Sequence, residues 1–166
     1  MKKIWLSILL TLSLATVCVA AETKVETPDA CVQCGMDRTK FGHSRMIVSY
    51  TDGSSAGTCS INCVVTDMQK NKGKTVKSFQ VADYNSKKLT DAKTASWVIG
   101  GSKKGVMSKV PKWAFAEKKD ADAFVKANGG KPASFDEVLK AAEGEYTERA
   151  AAKKQNEHKG HGEHKM

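Results

Sequence analysis

The sequence predicts an α+β fold: one small domain made of two related ββαβ units, followed by a C-terminal helix and a flexible tail. Three observations carry this. Short strand-like stretches are separated by turn signals rich in Gly, Asp and Ser. Two segments place apolar residues at helical spacing. The order strand, strand, helix, strand then occurs twice, a grouping that belongs to the α+β class rather than to strict βαβ alternation.

His43 to Tyr50 reads as the first strand, with Met46, Ile47 and Val48 at its centre, and Thr51-Asp52-Gly53-Ser54 is the turn after it. Ser55 to Thr58 is a short second strand. Ser60 is placed to cap a helix in which Ile61, Val64, Val65 and Met68 recur at helical spacing; the helix runs to about Asn71 before Gly73 ends it. Thr75 to Ala82 alternates as a strand, with Val76, Ser78, Gln80 and Ala82 opposite Lys77, Phe79 and Val81. The second unit opens with a strand over Ala95 to Gly100, a Gly/Lys-rich loop over Gly101 to Gly105, and a strand over Lys112 to Ala116. Lys118 to Asn128 is an amphipathic helix with Ala121, Phe124 and Val125 inward, closed by Gly129-Gly130. Lys131 to Ala133 is a brief strand, and Ser134 caps a last helix through Phe135, Val138 and Leu139. From Thr147 the apolar pattern fades, so residues 147–166 read as a mobile His/Lys-rich tail.

The chain has 166 residues, which suits one domain with tails. Its start is ordered like a secretory signal peptide over residues 1–21: basic Lys2 and Lys3, an apolar run from Ile4 to Val19, then Ala20-Ala21. The run is shorter than the roughly 20 residues of a bilayer span. The expected compartment is the periplasm. Cys18 offers an alternative, a lipid anchor, although Val17 stands where a lipoprotein signal wants a small residue. Residues 22–30 read as a polar linker and 31–146 as the domain. The net charge of +9 falls by two when the leader is removed. The lysines are scattered and not clustered with aromatics, so no nucleic acid is expected; they form a solubilising surface able to steer an acidic partner. No nucleophile motif, phosphate loop or acid/base pair is present, so no enzyme is expected.

With Cys18 in the leader, Cys31, Cys34, Cys59 and Cys63 remain. An even count in an oxidising compartment first suggests disulfides. The surrounding residues suggest a metal. In Cys31-Val32-Gln33-Cys34-Gly35-Met36, two thiols can converge from a tight turn, and Gly35 supplies the left-handed backbone such a turn commonly needs. Met36 adds a thioether, and thiolate with thioether is a soft set that selects Cu(I). In Cys59-Ser60-Ile61-Asn62-Cys63, the i, i+4 spacing puts both sulfurs on one helix face near the start of the helix, where the dipole favours thiolate. Such a pair is poorly placed for a disulfide. Met46 and Met68 read as core, His43 as a strand or surface residue. His158, His161 and His164 either capture Cu(II) or Zn(II) or keep the tail soluble.

At these residues the sequence resembles the NosL family, the accessory proteins of nitrous-oxide reductase. The Cys34-Gly35-Met36 run is similar to the family's Cys-Gly-Met signature. The likeness continues through Asp83-Tyr84, Asp91-Ala92, Trp97-Val98, Gly105-Val106-Met107, Ala114-Phe115 and Ala121 to Phe124. It implies a double ββαβ fold and an exported copper chaperone that takes Cu(I) from a copper-donating exporter and delivers it to nitrous-oxide reductase. It further implies Cys34 and Met36 as ligands, with Met107 as another sulfur donor. The pair Cys59/Cys63 resembles the TRASH type of heavy-metal trafficking motif. Two competing readings stand beside the Cu(I) carrier. One is a structural Zn(II) module for protein interaction, all four cysteines closing a single tetrahedral site. The other is a thiol–disulfide oxidoreductase using Cys31 and Cys34, which would want a helix directly after the pair.

Overall fold

A computed structural model describes the backbone of residues 25–160 and side chains to residue 155. The leader with Cys18, and His161 and His164, lie outside the described residues. In chain order the elements are β1 (Met46–Tyr50), β2 (Ser55–Thr58), α1 (Ile61–Lys70), β3 (Val76–Ala82), β4 (Leu89–Asp91), β5 (Ser96–Ile99), β6 (Lys112–Phe115), α2 (Lys118–Asn128), β7 (Lys131–Ala133) and α3 (Phe135–Gly160).

The two units share one topology. The first sheet has the order β2-β1-β3-β4 and the second β6-β5-β7. In each, the unit's first strand lies between the strand that follows it and the strand after the helix, and all pairings are antiparallel. The duplication expected from the sequence is therefore present as topology.

Strand phase follows the pleat. Met46, Val48 and Tyr50 of β1 face inward, as do Phe79 and Val81 of β3. They meet Ile61, Val64 and Val65 of α1 and Phe135, Val138 and Ala142 of α3 in the main core. Met46 is fully buried there and Met68 packs at its edge. A smaller core joins Val98, Trp113, Phe115 and Phe124, with Tyr84 against them. Between the units, the Asp83 carboxylate accepts from Ala116 N at 2.9 Å and Tyr84 N donates to Ala114 O at 2.8 Å.

Several boundaries differ from the sequence reading, each for a physical reason. β1 begins at Met46 and not at His43, because residues 37–44 coil in turns opened by Asp37, whose Oδ1 accepts from Thr39 N and Lys40 N at 2.7 and 3.1 Å. The short β4 carries no pattern of its own and exists by pairing with β3. Ser60 holds the N-cap position, but its side chain makes no capping bond. Ser134 does cap, reciprocally with Glu137: Glu137 N donates to Ser134 Oγ while Glu137 Oε2 accepts from Ser134 N.

The segment read as a linker is bound to the body. Val25 is buried, and Glu26 pairs with Arg45 at 2.9 Å and Arg38 at 3.4 Å. The tail also differs. Helix α3 does not stop near Thr147 but continues to Gly160, through a stretch rich in Ala, Glu and Lys whose propensity sustains helix without burial.

Candidate metal centre

Two local structures bring the sulfurs together. The first is a knuckle: Cys31 N donates to Met36 O and Gly35 N to Cys31 O, both at 2.8 Å, closing a turn with Gly35 at φ 73°. An Ala30–Asp37 bridge closes the base of the turn, and Val32 N donates to Gly57 O at 3.1 Å, fixing the knuckle to β2. The second is the entry to α1. Cys59 precedes the cap residue, outside the helix proper, and Cys63 lies in the first turn. The extended backbone at Ser60 swings Cys59 back toward Cys63, leaving the two Sγ atoms 3.7 Å apart.

Cys34 Sγ lies 3.5 Å from Cys59 Sγ and 3.6 Å from Cys63 Sγ. All four cysteine Sγ atoms, Cys31 included, fall within 4.8 Å of one another. Met36 Sδ is 4.0 Å from Cys59 Sγ. Cys31, Cys59 and Cys63 are buried with Val106 packed on them, whereas Cys34 is exposed. All four are free thiols, so the disulfide reading does not describe this arrangement. A tetrahedral thiolate site with metal–sulfur bonds of about 2.3 Å has sulfur–sulfur edges of about 3.8 Å. The observed spacings sit close to that, and the soft donor set fits a thiophilic ion.

The electrostatics favour an anion at Cys31. Hydrogen bonds from Cys59 and Cys63 hold Cys31 far below the ordinary thiol pKa. Their bonding to Cys31, with burial, pushes the Cys59 and Cys63 thiols up. The N-terminus of α1 opens at Ser60, between the two cysteines, and its dipole supports negative charge there. Arg38, fully buried, interacts with the Cys31 charge.

The structure thus joins five of the expected sulfur residues: Cys31, Cys34, Met36, Cys59 and Cys63. Met107 sits in the loop that packs Val106 on the cluster. Its own side chain is exposed in a groove beside Glu145 and Arg149, and its carbonyl accepts from Asn62 Nδ2 at 2.8 Å. His43 is half-buried against Tyr84 and Trp113, at 5.6 and 5.8 Å between ring centroids. No helix follows the Cys31/Cys34 pair directly, which is the arrangement the oxidoreductase reading needed.

The sequence reading missed the residues that hold the site. Gln33 Nε2 donates to Asp67 Oδ1 at 2.6 Å, and Tyr50 Oη also donates to Asp67. Asp67 stands four residues after Cys63, a spacing that marks it as a neighbour on the same helix face. Nothing in the local sequence announced Arg38.

The NosL family model matches residues 22–142. The chain belongs to the NosL family. The match takes in Glu26 and Pro28, which bind Arg38 and Arg45, so that segment is part of the family's domain. The chain is also similar to the crystal structure of the copper chaperone NosL from Shewanella denitrificans, with a TM-score of 0.57 and 26% identity, covering 69% of this chain and 92% of that one. No curated protein sequence matches. Within the family frame, the buried motif residues Asp83, Ala92, Trp97 and Phe115 serve the fold: Trp97 Nε1, for example, donates to Ala92 O at 2.8 Å.

Proposed function

We propose that this NosL protein is a periplasmic carrier of Cu(I), not an enzyme, and that it passes the ion from a copper-donating exporter to a copper enzyme, nitrous-oxide reductase in its maturation. The observation that carries the reading is the asymmetry of the sulfur cluster. Three cysteines are buried and one, Cys34, is exposed at its rim. A carrier must hold its ion and still admit an incoming ligand, and a soft cluster open on one side does both. The solved relative is named a copper chaperone, which supports the same cargo. The signal-peptide-like sequence of residues 1–21 supports export.

The test is anaerobic titration of reduced protein with Cu(I) against a chromogenic competitor, comparing the wild type with Cys34→Ser and Met36→Leu. Affinity should fall by tenfold or more in Cys34→Ser, which is about 1.4 kcal/mol, and by less in Met36→Leu. Unchanged affinity in both variants defeats the assignment. Location is checked separately by fractionating cells that express the full chain.

One observation favours a second reading. The near-tetrahedral sulfur spacings also suit Zn(II) held for structure. A structural zinc would contribute roughly 10 kcal/mol to folding, so a chelator would unfold the domain. A carrier stripped of its cargo keeps its circular dichroism spectrum.

A further inference from the structure

We propose that Asn62 is the latch of a lid: it pins the loop of residues 100–111 over the buried sulfurs, and so sets the rate at which an ion enters or leaves the cluster. This rests on the cargo reading above. An ion leaves a thiolate cluster by ligand exchange. Cys34 offers an exposed first contact, but Cys31, Cys59 and Cys63 are buried, and Val106 is part of their cover. Complete transfer has to displace those three sulfurs as well, so the position of Val106 bears on its speed.

The duplicated topology singles this loop out. In the first unit, β1 and β2 are joined by four residues, 51–54. The matching strands of the second unit, β5 and β6, are joined by twelve, 100–111. An antiparallel pair needs only about two to five residues to turn. The longer connection leaves its own unit and reaches the first one, where Val106 packs with the cysteines.

Side chains hold it there. At the base, Gly100 N donates to Pro111 O and Ser102 N to Asn128 O, both at 2.8 Å. Among the described residues, no backbone-to-backbone hydrogen bond involves residues 103–110. Asn62 is 1% exposed and stands between Cys59 and Cys63. Its Nδ2 donates to Met107 O at 2.8 Å and to Glu145 Oε2 at 2.7 Å, while its Oδ1 meets no donor among the described residues. The buried amide therefore serves the loop and the loop's support. Glu145 accepts in turn from Ser108 Oγ at 2.9 Å and Lys109 N at 3.3 Å. Met107 has φ 54°, in the left-handed region that side chains other than glycine disfavour. Such strain persists where the surroundings hold it, and Asn62 holds the carbonyl of the strained residue itself. Without that bond the loop relaxes outward and carries Val106 off the sulfurs.

The experiment compares reduced wild-type protein with Asn62→Ala, Val106→Ala and Thr66→Ala. Thr66 Oγ1 donates to Asn62 O at 3.0 Å, so its loss weakens the same stretch of α1 without touching the loop. Metal-free chains are labelled with iodoacetamide in pulses that modify each chain at most once, with exposed Cys34 as internal standard. Cu(I)-loaded chains are mixed with a chromogenic chelator. In Asn62→Ala, labelling of Cys59 and Cys63 relative to Cys34 should rise about tenfold, with faster amide exchange at Lys109 and Val110 and unchanged exchange in β1. Cu(I) release should quicken about tenfold while affinity changes about threefold or less, because a lid slows loading and release alike. Val106→Ala thins the cover and keeps the latch, so labelling rises about threefold while Lys109 and Val110 exchange as in the wild type. Wild-type labelling and release in Asn62→Ala, or a rise that Thr66→Ala matches, overturns the latch and leaves the cargo reading standing. Should Asn62→Ala not fold, unchanged labelling in Val106→Ala overturns the lid and a rise sustains it. Opening by Asn62→Ala in a protein that holds no Cu(I) sustains the lid as a cover for the thiols and removes the cargo reading.

Discussion

Gln33 Nε2 donates to Asp67 Oδ1 at 2.6 Å, tying the tip of the cysteine knuckle to the second turn of α1. The bond sets the distance between the two sulfur-bearing elements. Asp67 is itself held by Tyr50 Oη and Asn71 Nδ2, so the anchor is rigid and the knuckle is the element that yields. Gln33→Ala removes a hydrogen bond to a charged group, typically worth about 1.5–3 kcal/mol. Part of that loss should appear in binding: Cu(I) affinity falls about tenfold, measured by competition titration, because Cys34 is no longer held at the cluster. Met68→Leu at the core edge is the control, changing Tm slightly and affinity not at all.

Gly35 makes a separate prediction about the same knuckle. Its φ of 73° lies in the left-handed region, and a Cβ there would meet nothing within 4 Å. Any effect of Gly35→Ala is therefore backbone strain and not collision. The expected cost is about 1 kcal/mol, or a Tm lower by about 3 °C. A loss several times larger would mean that the turn itself had opened.

Gly57 acts oppositely, through space. An added Cβ would stand 2.7 Å from Arg38 Nη1 and 2.8 Å from its Cζ. Arg38 is fully buried and cannot swing clear, since Nε donates to Thr58 O and Nη1 to Pro28 O. Gly57→Ala should cost about 1–3 kcal/mol, the range for overpacking. It should also release the segment around Glu26, read as faster amide exchange and proteolysis between residues 25 and 30. Glu26→Gln tests the same clasp by charge, since its carboxylate, held below the ordinary pKa chiefly by Arg45, faces both guanidiniums.

The sequence exposed what depends on periodicity and donor chemistry. The helix spans of α1 and α2 followed from apolar spacing and glycine stops. The duplicated unit followed from element order, and the sulfur cluster from the soft character of Cys31, Cys34 and Met36 with the i, i+4 pair. What stayed hidden depends on contacts between distant segments. Arg38 is charged, and nothing around it in sequence says that Glu26, Pro28 and Thr58 converge on it. The segment 25–30 is polar enough to read as a linker, yet those polar groups are what bind it. The run after Thr147 lacks an apolar stripe, yet it has the residue types that keep a helix going once packing has started it.

Lys112 and Glu145 form the ion pair on which the loop beside the cluster rests, at 2.7 Å with side chains 2% and 11% exposed. Burial alone would raise the Glu145 carboxyl. Hydrogen bonds from Lys112, Asn62 and Ser108 outweigh it and bring the pKa down to about 2. A carboxyl whose folded pKa is depressed stabilises the fold above its ordinary value of 4.5, and that contribution is lost as pH falls through this value toward about 2. Acid titration of the wild type should therefore show a stability decline in that window. Glu145→Gln should flatten the decline while lowering stability at neutral pH. Lys112→Met should be worse at pH 7, by about 3 kcal/mol, because it leaves a buried carboxylate without its cation. In that variant the carboxyl loses the bond that depressed it, so protonation brings relief and the penalty shrinks as pH falls. The double variant Lys112→Met/Glu145→Gln removes both charges and should recover part of the loss. If the double variant were as unstable at pH 7 as Lys112→Met, the cost would lie in packing around the lysine stem and not in the stranded charge.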